Sequence, residues 1–456
     1  MSSKHNILIA AKDSVWVHLR SVRPLHILLA TWLFAIAYAF PGYMNWDACE
    51  QLSQARAGGY GDGHPPLMAA MWRFIERIVH GPFGMLVLQT SLFLVGLYAL
   101  FRQRFQPRTA AVVAGLVFLF PPVLTPMTAV WKDAQMAGAL LGGTMLAMRR
   151  PWVARLVGIA LLFYAVGVRH NAPAALPPLL MLVAWSWGIR RKLVALLVAL
   201  GLTVALAGSA MTVNAKISVR QYWWYRSIAL HDLIGTICLS DPMTDDEVRS
   251  ALAGVPLIVQ TNIQAHMCQR YTPREWFPTV FGEGRIFNSI PDKDERLARG
   301  AAWNRVLREH PYEWLSHRWL VMREVIGLTD SDVWEPVCQD VGANPELLVA
   351  TSHNHSLSWF QTAVGGYAVR LGKTIAYRPW AYLLVGLFIL AYAIAKRDGM
   401  LIALLTSGIL YEASFFPASP SPDFRYSHWM VTCCTIAIVI VFLERLRAGR
   451  ASRQQP

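Results

Sequence analysis

The chain has 456 residues, of which 55% are hydrophobic and 15% charged, with a mean hydropathy of +0.35. That composition excludes a water-soluble globular protein and reads as a multi-pass membrane protein. The formal charge of +14 would suggest nucleic acid in a soluble chain, but most Lys and Arg stand at the ends of apolar runs; they set topology first and meet anionic lipid second, so membrane lipid is an expected partner and nucleic acid is not.

Met1 to Arg23 is mildly basic, and no small-residue cleavage site follows the first apolar run, Pro24 to Phe40, which is expected to be retained as a span. Further apolar runs start near Phe83, Thr109, Ala134, Trp152, Ala174, Leu193, Pro379, Met400 and His428. Against about 20 residues per crossing, they predict an all-α multi-pass protein with about ten transmembrane helices. Arg102/Arg104/Arg108, Arg149/Arg150/Arg155, Arg190/Arg191/Lys192, Lys396/Arg397 and Arg445/Arg447/Arg450 recur at every second connection. Those connections and both termini are therefore expected to be cytoplasmic.

The opposite connections face outward: Gly42 to Pro82, Pro121 to Asp133, Arg169 to Pro173, about Asn214 to Arg378, and Phe416 to Ser427. This divides the chain into a transmembrane catalytic core (residues 1–213, with the outer loop 42–82), a mainly helical periplasmic soluble domain (214–378) and C-terminal transmembrane helices (379–456). Pro121-Pro122 should end the third span early, making Phe120 to Asp133 a partly re-entrant loop. The long segment carries acids such as Asp241, Asp245, Asp246, Glu247, Asp292, Asp294, Glu295, Asp330, Asp332, Glu335 and Asp340, with helices expected over Asp245 to Ala253 and Asp292 to His310. Strand signals are sparse. Cys49, Cys238, Cys268 and Cys338 lie outside, where an oxidising compartment allows three pairings; Cys238 with Cys268 is the expected bridge.

Every chemically suggestive cluster falls on the expected outer side. Asp47 and Glu50, with Gln51 beside them, stand about one turn apart if their loop is helical, so both acids share a face. A carboxylate against apolar walls can have a raised pKa and serve as general base toward a hydroxyl; the alternative is a solvated loop with Asn45 or Asp47 as helix cap. His64-Pro65-Pro66-Leu67 precedes an amphipathic helix, roughly Leu67 to Val79, whose proline start can aim His64 at a fixed point. Lys132 of Trp131-Lys132-Asp133 suits a phosphate, and Asp133 can orient it or position a sugar hydroxyl; the alternative is an interfacial anchor. Arg169-His170-Asn171 and Asp423-Phe424-Arg425-Tyr426 put two further cations at the same boundary, where they either bind a lipid-borne phosphate or snorkel. No HExxH, CxxC, Walker A loop or GxGxxG turn is present; His353-Asn354-His355 is a weak metal signal, and a divalent cation, Mg or Mn, is the one cofactor left open.

With these residues placed, the chain resembles the GT-C superfamily of polyprenyl-phosphate-sugar-dependent glycosyltransferases. Asp47 in the first outer loop followed by His64-Pro65-Pro66-Leu67 is similar to protein O-mannosyltransferases and their bacterial relatives; Lys132-Asp133, Arg169 and Asp423 to Tyr426 follow in a similar order. The resemblance covers the spans but not the large outer domain. It implies a GT-C-like fold in a bacterial inner membrane and inverting transfer from an undecaprenyl-phosphate sugar to a cell-envelope glycan, lipid or protein. Asp47 would be the base, while Lys132, Arg169 and Arg425 hold the donor phosphate and His64 and Asp133 position sugar or acceptor. Glu50 is at a different spacing from the second acid of several members. A non-catalytic lipid-glycan flippase, and an envelope polymerase or ligase, are the competing readings.

Overall fold

The computed structural model describes residues 23–220, 227–289, 291–329, 337–338 and 356–453. His353-Asn354-His355, Asp330, Asp332, Glu335, Asp340 and the first 22 residues lie outside the described residues. The protein is mostly helical, and every predicted apolar run becomes a helix.

α1 (Pro24–Ala39) begins on a proline, whose missing N–H is not needed in a first turn. The Gly42 to Pro82 connection holds α2 (Trp46–Ala57) and α3 (Pro66–Glu76), and α4 (Phe83–Phe101) follows. α5 (Pro107–Leu119) then breaks at Phe120 into α6 (Pro121–Thr128), bent by 70°. A residue before proline is pushed out of the helical region, and Phe120 sits at φ −64°, ψ 121°. α7 (Lys132–Ala147), α8 (Trp152–Val168), α9 (Leu176–Ser186) and α10 (Lys192–Ile217) complete the first bundle.

The connecting domain contains α11 (Ile228–Leu239), α12 (Asp245–Ala251), α13 (Ile263–Arg270), α14 (Lys293–Glu309), α15 (Pro311–Val325) and α16 (Trp359–Gly372). Two of these match the predicted helices and owe their starts to caps. Thr244 and Glu247 cap α12 reciprocally, and the Asp292 carboxylate accepts from the Glu295 N–H at 2.8 Å. The Cys238–Cys268 disulfide joins α11 to the end of α13. α17 (Pro379–Lys396), α18 (Gly399–Ala413), the short α19 (Phe415–Ala418) and α20 (His428–Arg453) close the chain. The only strands among the described residues are β1 (Tyr60–Gly61) and β2 (Ser218–Arg220), a short parallel pair.

Among the described residues, 5 helices are long and apolar enough to cross a membrane, or 6 if α5 and α6 are one broken span. Exposed apolar side chains ring the bundle, among them Leu197 and Val204 on α10 and Phe388 and Ile394 on α17. Such a belt is unfavourable in water and suits a hydrocarbon surround.

Lipid tails supply no hydrophobic drive for helix pairing, so close packing must do so. α7 is sandwiched between α4 and α8. A Cβ on Gly138 would sit 2.9 Å from the Gln89 carbonyl, and one on Gly158 would collide with the Ala147 backbone. The connecting domain has a second core from Leu230 to Val306, whereas Val321, Met322 and Val325 of α15 pack into the main core. α15 also packs against α11 of the connecting domain, so it links the two cores.

Replacing Gly158 with leucine should force α7 and α8 apart at a cost of ~1–3 kcal/mol. Thermal unfolding in detergent should show a lowered midpoint, whereas Gly201→Leu, on α10 where a side chain meets open space, should leave it unchanged.

Candidate active site

The site is assembled from four separate stretches of chain, and each is held by polar groups that leave its backbone little freedom. The Asn45 side chain caps α2 by accepting from the Ala48 N–H at 3.1 Å, which puts Asp47 in the first turn, where the helix dipole favours a negative charge. Tyr43 pairs with the segment after α6: its N–H donates to Thr128 O at 3.2 Å, and its carbonyl accepts from Val130 N at 2.8 Å. That short bridge sets α2 beside the start of α7.

Non-helical backbone inside an apolar bundle must find internal partners. Gln89 of α4 provides them by donating to the Met127 and Ala129 carbonyls, both at 2.8 Å. Gln135 donates to Gln89 Oε1 at 2.8 Å and accepts from the Tyr164 hydroxyl at 3.2 Å. This buried chain fixes Ala129 to Trp131 and therefore the position of Lys132. The third stretch, His64-Pro65-Pro66, is pinned by Asn214, whose carbonyl accepts from Leu67 N at 3.0 Å while its amide donates to Gly167 O at 2.9 Å.

The fourth stretch is the 3₁₀ turn Phe424–Ser427. Asp423 caps it, accepting from Arg425 N at 3.1 Å, and Ser427 donates to Glu412 Oε1 at 2.8 Å. Arg425 is the hub. Its Nη2 lies 2.7 Å from Asp47 Oδ2, its Nε 2.6 Å from Asp423 Oδ2 and 3.9 Å from Asp133 Oδ2. The guanidinium lies over the Trp131 ring at 4.8 Å. Arg169 pairs with Asp133 at 3.2 Å and lies over Tyr426 at 4.5 Å, while Tyr426 stacks on Phe415 at 5.2 Å.

On the other side of Asp47, the Lys132 ammonium lies 2.7 Å from His64 Nδ1. An ammonium can only donate, so Nδ1 accepts and the ring proton resides on Nε2. Nε2 faces Asp47 Oδ1 at 3.6 Å and Glu50 Oε2 at 3.7 Å. Burial and the neighbouring Lys132 push the His64 imidazole down to about 3, so the ring is neutral near pH 7.

Most of the residues singled out in the sequence converge here, in altered roles. Asp133 is buried to 1% at its side chain and locked between the two arginines, whereas the Asp47 side chain is 23% exposed. Asp47 and Asp423, at 23% and 21%, are thus the carboxylates of the cluster that remain accessible, and Asp133 sets the arginines in place. The raised pKa expected for Asp47 is not found. Burial does oppose its ionisation, but Arg425, His64 and Lys132 together hold the carboxyl well below the usual carboxylate range. Asp423 is driven up to about 6, by burial first, with Arg425 opposing. Asn171 donates to Ser414 Oγ at 3.1 Å; His170 is partner to none of these ion pairs, but burial of its ring and the nearby Lys132 and Arg169 push its imidazole down to about 4.

Sequence reasoning did not give parts in the site to Trp131, Phe415, Glu412 or Tyr411, whose hydroxyl donates to Asp133 Oδ1 at 3.5 Å. Glu412, buried in an apolar helix, carried a usable signal, because an ionisable residue there is costly. The residues present do not make a cation site: Asp47 and Asp423 are taken by Arg425, and the described residues contain no group of three suitable ligands. No family model, curated protein or solved structure matches the chain.

A depressed carboxyl stabilises the fold above its unfolded pKa of about 3.9, and that contribution is lost as pH falls below it. The wild type should therefore be more stable than Asp47→Asn by a constant margin from pH 8 to about 5, with the margin closing below about pH 4. Parallel thermal unfolding of both proteins across that range checks this.

Proposed function

We propose that the chain is a GT-C-type integral membrane glycosyltransferase of the bacterial inner membrane, with about ten crossings, cytoplasmic termini and a periplasmic site. It moves a sugar from an undecaprenyl-phosphate donor to a cell-envelope acceptor, with inversion. The observation that carries the reading is a pair of buried donors without acceptors, Arg425 Nη1 and Trp131 Nε1, on stacked groups beside the accessible carboxylate of Asp47. Buried donors are nearly always satisfied, and a phosphate oxygen would satisfy both. The disulfide and the alternation of basic loops support the placement.

Charge balance dictates the order of events. Arg169 and Arg425 already face Asp133, Asp47 and Asp423, whereas Lys132 rests on the neutral ring of His64, with no carboxylate of the described residues within ion-pair distance, so a phosphate finds Lys132 available but neither arginine free. At Arg425 it must compete: Asp133 is buried, and of the two accessible carboxylates Asp423 also caps the turn that carries the arginine, which leaves Asp47 as the one to be displaced. Once released from Arg425, Asp47 becomes a stronger base. The acceptor hydroxyl then attacks the anomeric carbon opposite the phosphate, its proton passes to Asp47, and the sugar–phosphate C–O bond breaks with the electron pair leaving on the lipid phosphate. No acid is needed for that leaving group, and Arg425 and Lys132 neutralise its charge. Neutral His64 keeps Asp47 oriented, and Glu50, half-exposed beside His64, offers the proton a way to water.

Asp47→Asn should lower transfer from a polyprenyl-phosphate sugar about 10²–10⁴-fold. Because the substitution removes a competitor for Arg425, affinity for polyprenyl monophosphate should hold or rise. Arg425→Lys should weaken that affinity, since an ammonium cannot reproduce the planar fork. Transfer kinetics and lipid-phosphate binding on the purified proteins decide the matter; full transfer by Asp47→Asn would remove the base, and lipid translocation with no glycosylated product would favour a transporter.

A further inference from the structure

A buried arginine of the connecting domain hydrogen-bonds the segment that leads into the turn carrying Arg425. Arg318, on α15, is completely buried; its Nη1 donates to the carbonyl of Ser419 at 2.8 Å and its Nη2 lies 2.6 Å from Asp232 Oδ1. Asp232 is itself fixed within the connecting domain, where it accepts from Trp303 Nε1 at 2.7 Å and faces His317 Nε2 at 3.3 Å. Ser419 opens the stretch Ser-Pro-Ser-Pro-Asp, which runs directly into Asp423 and Arg425. Two prolines fix φ at alternate positions, and the Ser419 hydroxyl donates to Ser421 O at 2.8 Å. A stiff segment pinned at its first residue has little freedom at its last.

We propose that Arg318 is a positioning residue: through the Ser419 carbonyl it sets where Asp423 and Arg425 stand, so the connecting domain is a working part of the donor-phosphate site. Three features favour this over a role as domain glue alone. The guanidinium uses one nitrogen on each side of the junction, so the fork itself spans it. α15 packs against both α19 and the Phe424–Ser427 turn. The other end of that turn is held independently, by Glu412 on Ser427, which leaves the Ser419 end as the adjustable one. The importance for catalysis rests on the reading of Arg425 as the phosphate ligand; the tether itself does not.

The test uses full-length protein in detergent or nanodiscs. Arg318→Lys keeps a cation beside Asp232 but loses the fork; the double variant Arg318→Met with Asp232→Asn removes both buried charges together, which is better tolerated than removing one, and serves if the first fails to fold. Hydrogen exchange should quicken about tenfold in peptides covering residues 419–427, where Arg425 N–H and Tyr426 N–H are hydrogen-bonded to Asp423. α11 and α14 should stay protected. Unchanged exchange at 419–427 overturns the proposal, and so does loss of protection throughout the connecting domain, which would make Arg318 a core residue only. Binding of a polyprenyl monophosphate should weaken about tenfold, or roughly 1.4 kcal/mol, in the same variants. If wild-type protein does not bind that probe, the donor reading fails and the exchange comparison alone decides the tether.

Discussion

A guanidinium taken out of water has to be surrounded by negative charge, and Arg425 imposes that requirement on the rest of the molecule. Its three carboxylate neighbours come from α2, α7 and the segment before α20, at positions 47, 133 and 423 of the chain. Desolvating one ion costs several kcal/mol and is offset only by well-placed partners. The architecture around Arg425 is largely a means of delivering them. Asn45 turns α2 so that Asp47 faces inward, Gln89 and Gln135 hold the backbone that precedes Asp133, and Asp423 caps the turn that carries the arginine itself.

The break between α5 and α6 has the same logic. An unbroken helix would carry the chain past the site and leave no room for the Tyr43 bridge. Pro121 stops α5 and turns the chain by 70° into α6, and at the far end of α6 the Met127 and Ala129 carbonyls are taken up by Gln89 instead of lipid. The cost of putting irregular backbone in an apolar bundle is thereby limited to a few buried amides, and Lys132 is set on a rigid helix start.

The bundle was legible in the sequence because membrane helices announce themselves by length and apolarity alone, a local property. The early end of α5, the starts of α12 and α14 and the pairing of Cys238 with Cys268 were legible for similar reasons, each following from a proline, a capping residue or the few cysteines in play. The convergence of Asp47, His64, Lys132, Arg169 and Arg425 could be anticipated as a one-sided excess of charge. What stayed hidden is what depends on contacts between distant segments. Asp133 reads like any outer acid until Arg169 and Arg425 close over it, Arg318 reads like an exposed helical arginine until Ser419 reaches it, and the parallel pairing of two- and three-residue strands has no periodicity to detect. The direction of the Asp47 shift failed for the same reason, since burial alone raises a carboxyl and only its partners reverse the sign.

A site whose charges already cancel behaves differently from an open basic pocket. Unpaired, Arg169 and Arg425 would bind any phosphate that approached, whereas in their cancelled state they admit an anion only by exchange with an anion already in place. Exchange makes selectivity a matter of geometry: the incoming group must reach Arg425 Nη1 and Trp131 Nε1 as well as displace Asp47, because without those two unfilled donors it gains nothing over the carboxylate it replaces. In the proposed transfer the same exchange would keep the base inert until a donor is bound, since water meets only a carboxylate of low basicity in the resting protein. Such an arrangement tolerates little play in Arg425, since a small displacement would weaken both the resting pair and the phosphate contact. The two ends of its turn are accordingly fixed to different bodies, Ser427 to a buried acid in the bundle and Ser419 to a buried arginine in the connecting domain.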